Sequence, residues 1–129
     1  MNATVKEWVQ KAEEDFNIVE RESRVRKHPS FNGICFHAQQ CIEKLMKAWL
    51  IKKKKLPSKT HDLLILNELL IENGLLLNCS RDELRELSIG AVIFRYPGEN
   101  ADKEMAQGAK KLCRRLRKEL LPFFSMIKS

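Results

Sequence analysis

Glycine and proline are scarce in this chain, with 5 and 4 among 129 residues, and they build neither a glycine-rich phosphate loop nor a serine-nucleophile turn. The 4 cysteines, at positions 35, 41, 79 and 113, include no Cys-x-x-Cys pair. That spacing excludes a paired-ligand zinc site and a dense disulfide framework. Cys41 and Cys113 fall instead on apolar helical faces, where a buried thiol acts as a small hydrophobe. The 3 histidines are dispersed and lack the i,i+4 pairing of zinc helices, so neither metal nor cofactor is expected. No apolar run approaches the roughly 20 residues of a membrane span. Met1-Asn2-Ala3-Thr4 leads straight into a charged amphipathic segment rather than a signal-peptide core. A cytoplasmic protein without membrane association is the expectation. No segment alternates with the two-residue period of a strand, and no linker, repeat or low-complexity tract is present.

Helical periodicity remains. A content of 43% hydrophobic and 32% charged residues suits one compact domain over 1–129 with a single core. Val5, Trp8, Val9, Ala12, Phe16 and Val19 step by three and four residues, with Thr4 and Glu7 spaced as a capping box and His28-Pro29-Ser30 as the stop. A second helix runs from about Asn32 to the run Lys52-Lys53-Lys54-Lys55, and Pro57-Ser58 breaks the chain beyond that run. Its apolar face is Ile34, Ala38, Cys41, Ile42, Leu45, Ala48 and Trp49; Gln40, Glu43, Lys44 and Lys47 oppose it. The third helix opens at Thr60, carries Leu63, Leu66 and Leu70 inward, and ends at Asn73-Gly74. Ser80-Arg81-Asp82-Glu83 reads as a capping box for a fourth, with Leu84, Leu87, Ala91 and Val92 inward and Pro97-Gly98 beyond its end. Asn100 is placed to cap a fifth, whose buried row is Met105, Ala109, Leu112, Leu116 and Leu120 before Pro122. Short connections between such helices predict an all-α fold, a five-helix up-and-down antiparallel bundle.

The formal charge is +7, and its excess is concentrated. Beyond the lysine run, Lys110, Lys111, Arg114, Arg115, Arg117 and Lys118 crowd the last helix. Such a crowd reads either as a solvated face favourable to the helix dipole or as a surface for a polyanion or acidic partner. We take Lys110, Lys111, Arg114 and Arg115 as the partner surface.

Three strings carry more than periodicity. The stretch from Phe36 to Leu50 contains His37-Ala38-Gln39-Gln40, Thr60-His61-Asp62-Leu63 comes after it, and Arg95-Tyr96-Pro97 ends the fourth helix. Together, over nearly the whole chain, they resemble the small prokaryotic HEPN domains, the nucleotide-binding domain shared by higher eukaryotes and prokaryotes. The resemblance implies the same helical bundle, a homodimer with the fourth helix and Arg95 at its seam, and in many members a metal-independent ribonuclease. That activity uses an arginine and, after four to six intervening residues, a histidine. The chemistry is plain: the imidazole moves the 2′-hydroxyl proton while the guanidinium grips the phosphate.

Arg95 matches the arginine, but positions 100–102 are Asn100-Ala101-Asp102, and no histidine occurs after His61. Asparagine bonds a phosphate but is no base at neutral pH. Arg21 with His28 repeats the spacing at the wrong place in the fold. The resemblance also implies a minimal nucleotidyltransferase encoded nearby, as in toxin–antitoxin modules. The expected function is thus a non-catalytic, nucleotide-associated homodimer partnering such a subunit. Its nucleotide or phosphate site comprises Arg95, Tyr96, His61 and Asn100. His37 and His61 read as structural helix-edge residues or as members of a polar cleft shared with Arg95. The alternatives are a ribonuclease toxin with an atypical site around Arg95, and a basic RNA-binding adaptor.

Overall fold

A computed structural model describes residues 2–55 and 59–124 of the chain. The Pro57-Ser58 break lies outside the described residues. Five α-helices form: α1 (Ala3–Ser23), α2 (Phe31–Lys52), α3 (Leu63–Glu72), α4 (Arg81–Ile93) and α5 (Lys103–Leu120), the last continued by a 3-10 turn over Leu121–Phe123. Among the described residues there is no strand. The all-helical bundle is the fold that the periodicity predicts.

Helix starts are set by whichever side-chain oxygen is free to cap. Ser80 and Glu83 form the expected capping box, each side chain accepting from the other's backbone N–H at 3.0 and 2.9 Å. Elsewhere the cap moves. Asn2 caps α1 by accepting from Val5 N at 2.8 Å, ahead of Thr4. Asp62 caps α3, while Thr60 Oγ1 accepts from Asp62 N at 3.1 Å and so shapes the approach. Asp102, not Asn100, caps α5, because Asn100 is engaged with α2. α1 stops at Ser23, well before His28, whose φ of 54° already belongs to the turn into α2. At the far end of α3, Gly74 takes the φ of 94° common just past a helix C-cap.

α2 is the hub. Its predicted apolar face is buried throughout, and α1, α3, α4 and α5 all pack on it. The polar contacts give the directions. Glu22 meets Ser30, Asp15 meets His37 and Lys44, and Trp8 meets Lys47, so α1 and α2 run antiparallel. Glu68 with Arg81 and Leu63 with Ser88 make α3/α4 antiparallel, and Glu83 near the start of α4 meets Arg115 in the second half of α5. The α2–α3 connection differs from a plain hairpin, since it folds back along α2 until His61 lies beside Gln39 and Glu43.

Two inward positions are corrected. Val92 and Met105 are about half exposed, while Gly90, Ala91, Ala106 and Cys113 take the buried places. Leu84, Leu87 and Ala91 of α4 and Leu112, Leu116 and Leu120 of α5 are buried as read off the sequence, so each face differs only at its edge. Cys41 and Cys113 are both buried, as expected of packing residues. Leu45 sits fully buried at the middle of α2, so Leu45→Ala is expected to lower the unfolding free energy by about 2–5 kcal/mol in urea titration.

Candidate functional site

The face of α2 opposite its apolar stripe meets solvent only in part, at the half-buried Gln40 and Lys44. Gln39, Glu43 and Lys47 are buried there, a correction to the solvated face that the wheel predicts for Glu43 and Lys47. The returning 59–62 segment lies against Gln39 and Glu43, and Trp8 of α1 lies against Lys47. Glu43 Oε2 accepts from Lys47 Nζ at 3.0 Å and stands 2.9 Å from His61 Nδ1, while Oε1 accepts from Gln39 Nε2 at 2.9 Å. Gln39 Nε2 also donates to the His61 carbonyl at 3.0 Å, so the histidine is held by backbone and ring together.

Burial pushes the Glu43 carboxyl up, but hydrogen bonds from Gln39, His61 and Lys47, together with the charge of Lys47, outweigh it and hold the group below its ordinary 4.5. An ionised Glu43 makes Nδ1 of His61 the hydrogen-bond donor. The His61 side chain is 76% exposed against 4% for Glu43, which leaves Nε2 to solvent. A buried carboxylate thus orients an accessible imidazole, an arrangement suited to proton transfer or to bonding a phosphate.

A second polar cluster joins α1 to α2. Asp15, buried within the α1 stripe, binds His37 Nδ1 at 2.7 Å and Lys44 Nζ. His37 is therefore tied into the α1–α2 packing. Asp15 was legible only as a carboxylate beside Phe16 on the stripe, three residues after Ala12.

Arg95 lies just past the end of α4, and its guanidinium sits over the ring of Phe36 on α2, 5.8 Å from the centroid. Asn32, one turn earlier on α2, bonds the Asn100 side chain at 3.0 Å and accepts from Ala101 N at 2.7 Å. Asn32, Phe36 and Glu43 share one face of α2, so Asn100, Arg95 and His61 are strung along it. The seven residues from Phe36 to Glu43 correspond to about 10 Å of helix rise. Asn100 serves there as a pin for the α4–α5 loop. Tyr96 is 63% exposed and extends a row of exposed apolar residues on α4, Ile89, Val92 and Ile93.

The predicted basic surface divides in two. Arg114 forks onto Glu20, Arg115 bonds Glu83 at 2.6 Å and the Asn78 carbonyl at 2.9 Å, and Arg117 forks onto Glu13 at 2.7 Å while stacking on Phe16. Hydrogen bonds from Arg114 and Arg115 hold Glu20 and Glu83, respectively, below the ordinary carboxylate value. Among the described residues no ion pair engages Lys110 or Lys111. Among the same residues no cluster of three or more metal-ligating side chains occurs, and no helix is long and apolar enough to cross a membrane.

Removing the Glu43 carboxylate strands Lys47 in the core, so Glu43→Ala is expected to cost about 3–5 kcal/mol of unfolding free energy. A carboxyl with a lowered folded pKa stabilises fully above its ordinary value and loses that contribution as pH falls through the lower folded one. Urea midpoints measured from pH 6 downward should therefore decline below about pH 4.5, and less steeply in Glu43→Gln.

No curated protein and no solved structure matches the chain significantly. A family model described as the HEPN domain matches residues 5–121, spanning all three strings and every helix. The chain belongs to the HEPN domain family.

Proposed function

We propose that this HEPN protein is a non-nucleolytic, nucleotide-associated homodimer that works beside a minimal nucleotidyltransferase in a toxin–antitoxin-like pair. The observation that carries the non-nucleolytic part lies at Arg95. Its guanidinium packs on Phe36, no histidine comes after it, and Asn100, at the spacing of the motif's histidine, is bonded to Asn32. An amide so placed holds a loop and moves no proton. Phosphate recognition rests on Arg95, with Tyr96 beside it and His61 further along the same α2 face. Dimerisation rests on α4, where Ile89, Val92, Ile93 and Tyr96 recur at helical spacing and are exposed. Lys110 and Lys111, with the rims of Arg114 and Arg115, offer the acidic partner its contact.

The His61–Glu43 pair favours a second reading, a ribonuclease with an atypical site in which His61 supplies the base and Arg95 the phosphate contact. The two readings part in a cleavage assay. Purified protein should cut no RNA above background. Cleavage that disappears in both His61→Ala and Arg95→Ala would establish the second reading instead. Salt-sensitive RNA binding without preference for a nucleotide would mark a basic adaptor.

Calorimetric titration with a nucleotide should show Arg95→Ala weaker by about ten- to a hundred-fold, the loss of a charge-assisted bond of roughly 1.5–3 kcal/mol. Equal affinity in that variant removes Arg95 from the site. In sedimentation at micromolar concentration the protein should run as a dimer and Val92→Glu as a monomer. A wild-type monomer overturns the dimer.

A further inference from the structure

We infer that the cleft between the end of α1, the start of α2 and the first half of α5 binds a small phosphorylated aromatic molecule of nucleoside-monophosphate size. The cleft has a volume of about 440 Å³, within the range of small-molecule sites. Val25, Pro29, Phe31 and Ile34 form its apolar side, and Arg26, Lys103 and Lys110 surround it with positive charge.

Lys103 and Lys110 are seven residues apart on α5, two turns and about 10 Å along one face. A single carboxylate, Glu22, shares the cleft, and its Oε1 already accepts from Ser30 N at 2.6 Å. Among the described residues no ion pair involves Arg26, Lys103 or Lys110. The contrast lies on the same helix. Arg114, Arg115 and Arg117 each have a carboxylate from α1 or α4 in direct contact, whereas the three cations of the cleft share Glu22 within it and Lys110 feels Glu20 only through space.

Three cations around one concave surface repel one another, and an anion between them relieves the repulsion. The apolar side sets the rest of the ligand. A bare phosphate would leave Pro29 and Phe31 wet, whereas a planar ring attached to it covers them and gains stacking on Phe31. Gln107, at the same rim, has both a donor and an acceptor for the polar edge of such a ring.

This site is separate from the one around Arg95. Phe31 and Ile34 lie on the opposite side of α2 from Phe36 and Glu43, so the cleft stands or falls independently of the Arg95 reading.

The test is calorimetric titration with three probes: AMP, adenosine and inorganic phosphate. AMP should saturate one site per chain, with adenosine and phosphate each weaker by about ten-fold or more. The double variant Lys103→Glu/Lys110→Glu should lose AMP affinity by about ten-fold or more, and Lys118→Glu, an exposed charge change on the same helix outside the cleft, should not. Far-UV circular dichroism monitors the fold. If the double variant fails to fold, Val25→Glu, at a position 41% exposed, places a repelling charge in the cleft and should produce the same loss. Absence of saturable AMP binding overturns the proposal. So does wild-type affinity in the cleft variants, or adenosine binding as tightly as AMP. An equal loss in Lys118→Glu would mark unspecific charge attraction and overturn it as well.

Discussion

A carboxylate taken out of water inside a helical bundle has to be surrounded by donors before the helices can close on it. Glu43 is that group here. One lobe takes Gln39, the other takes Lys47 and His61, and the three donors come from two different segments of the chain. The desolvation of such a pair can cancel its Coulomb attraction, so the cluster contributes less to net stability than to geometry. It allows α2 to be enclosed on its polar side as well as its apolar one. It also fixes where α3 begins, because a returning chain that misplaced His61 would leave the carboxylate short of a donor. Asp15, with His37 and Lys44, does the same for α1 against α2. The central helix is thus positioned by two buried carboxylates as much as by its leucines.

Charge on α5 obeys a different rule. The arginines near its C-terminal end each reach a glutamate on a neighbouring helix, and Arg117 adds the face of Phe16. Exposed ion pairs of this kind contribute about 0–1 kcal/mol each, so their main effect is to orient α5 on α1 and α4. The net charge of +7 already has these pairs cancelled within it, so the excess resides on cations without a carboxylate partner. The cations left over are lysines, and those toward the start of α5 face a cleft.

Features decided locally could be read from the sequence. The Ser80 capping box, the glycine after α3 and the apolar stripe of α2 depend on residues within a turn of one another, and the spacing displays them. The burial of Glu43 depends on a connection that doubles back along α2, and nothing in a helical wheel encodes that return. Caps were misplaced where two oxygens compete. Asn100 loses α5 to Asp102 because Asn32, 68 residues earlier, takes its side chain. Of the candidate site, Arg95 and His61 stand out in the sequence as single residues, but their alignment on one face of α2 appears only once the Phe36 and Glu43 contacts are known. The cleft near Val25 joins three segments, one of them far away in sequence, and had no local signal.

The two ion pairs between α1 and α5 join residues 94 and 104 positions apart, whereas the polar contacts of α1 with α2 span 22 and 29. Closing so long a loop is entropically costly, and helical proteins reach their transition state mainly through nearer contacts. Glu20–Arg114 and Glu13–Arg117 are therefore expected to form on the native side of the folding barrier. Interactions of that class slow unfolding in proportion to their energy and have little influence on how fast the folded state is reached. The α1–α5 clasp is in this sense a kinetic latch: cutting it lets the bundle open sooner while the chain still collapses at the same rate.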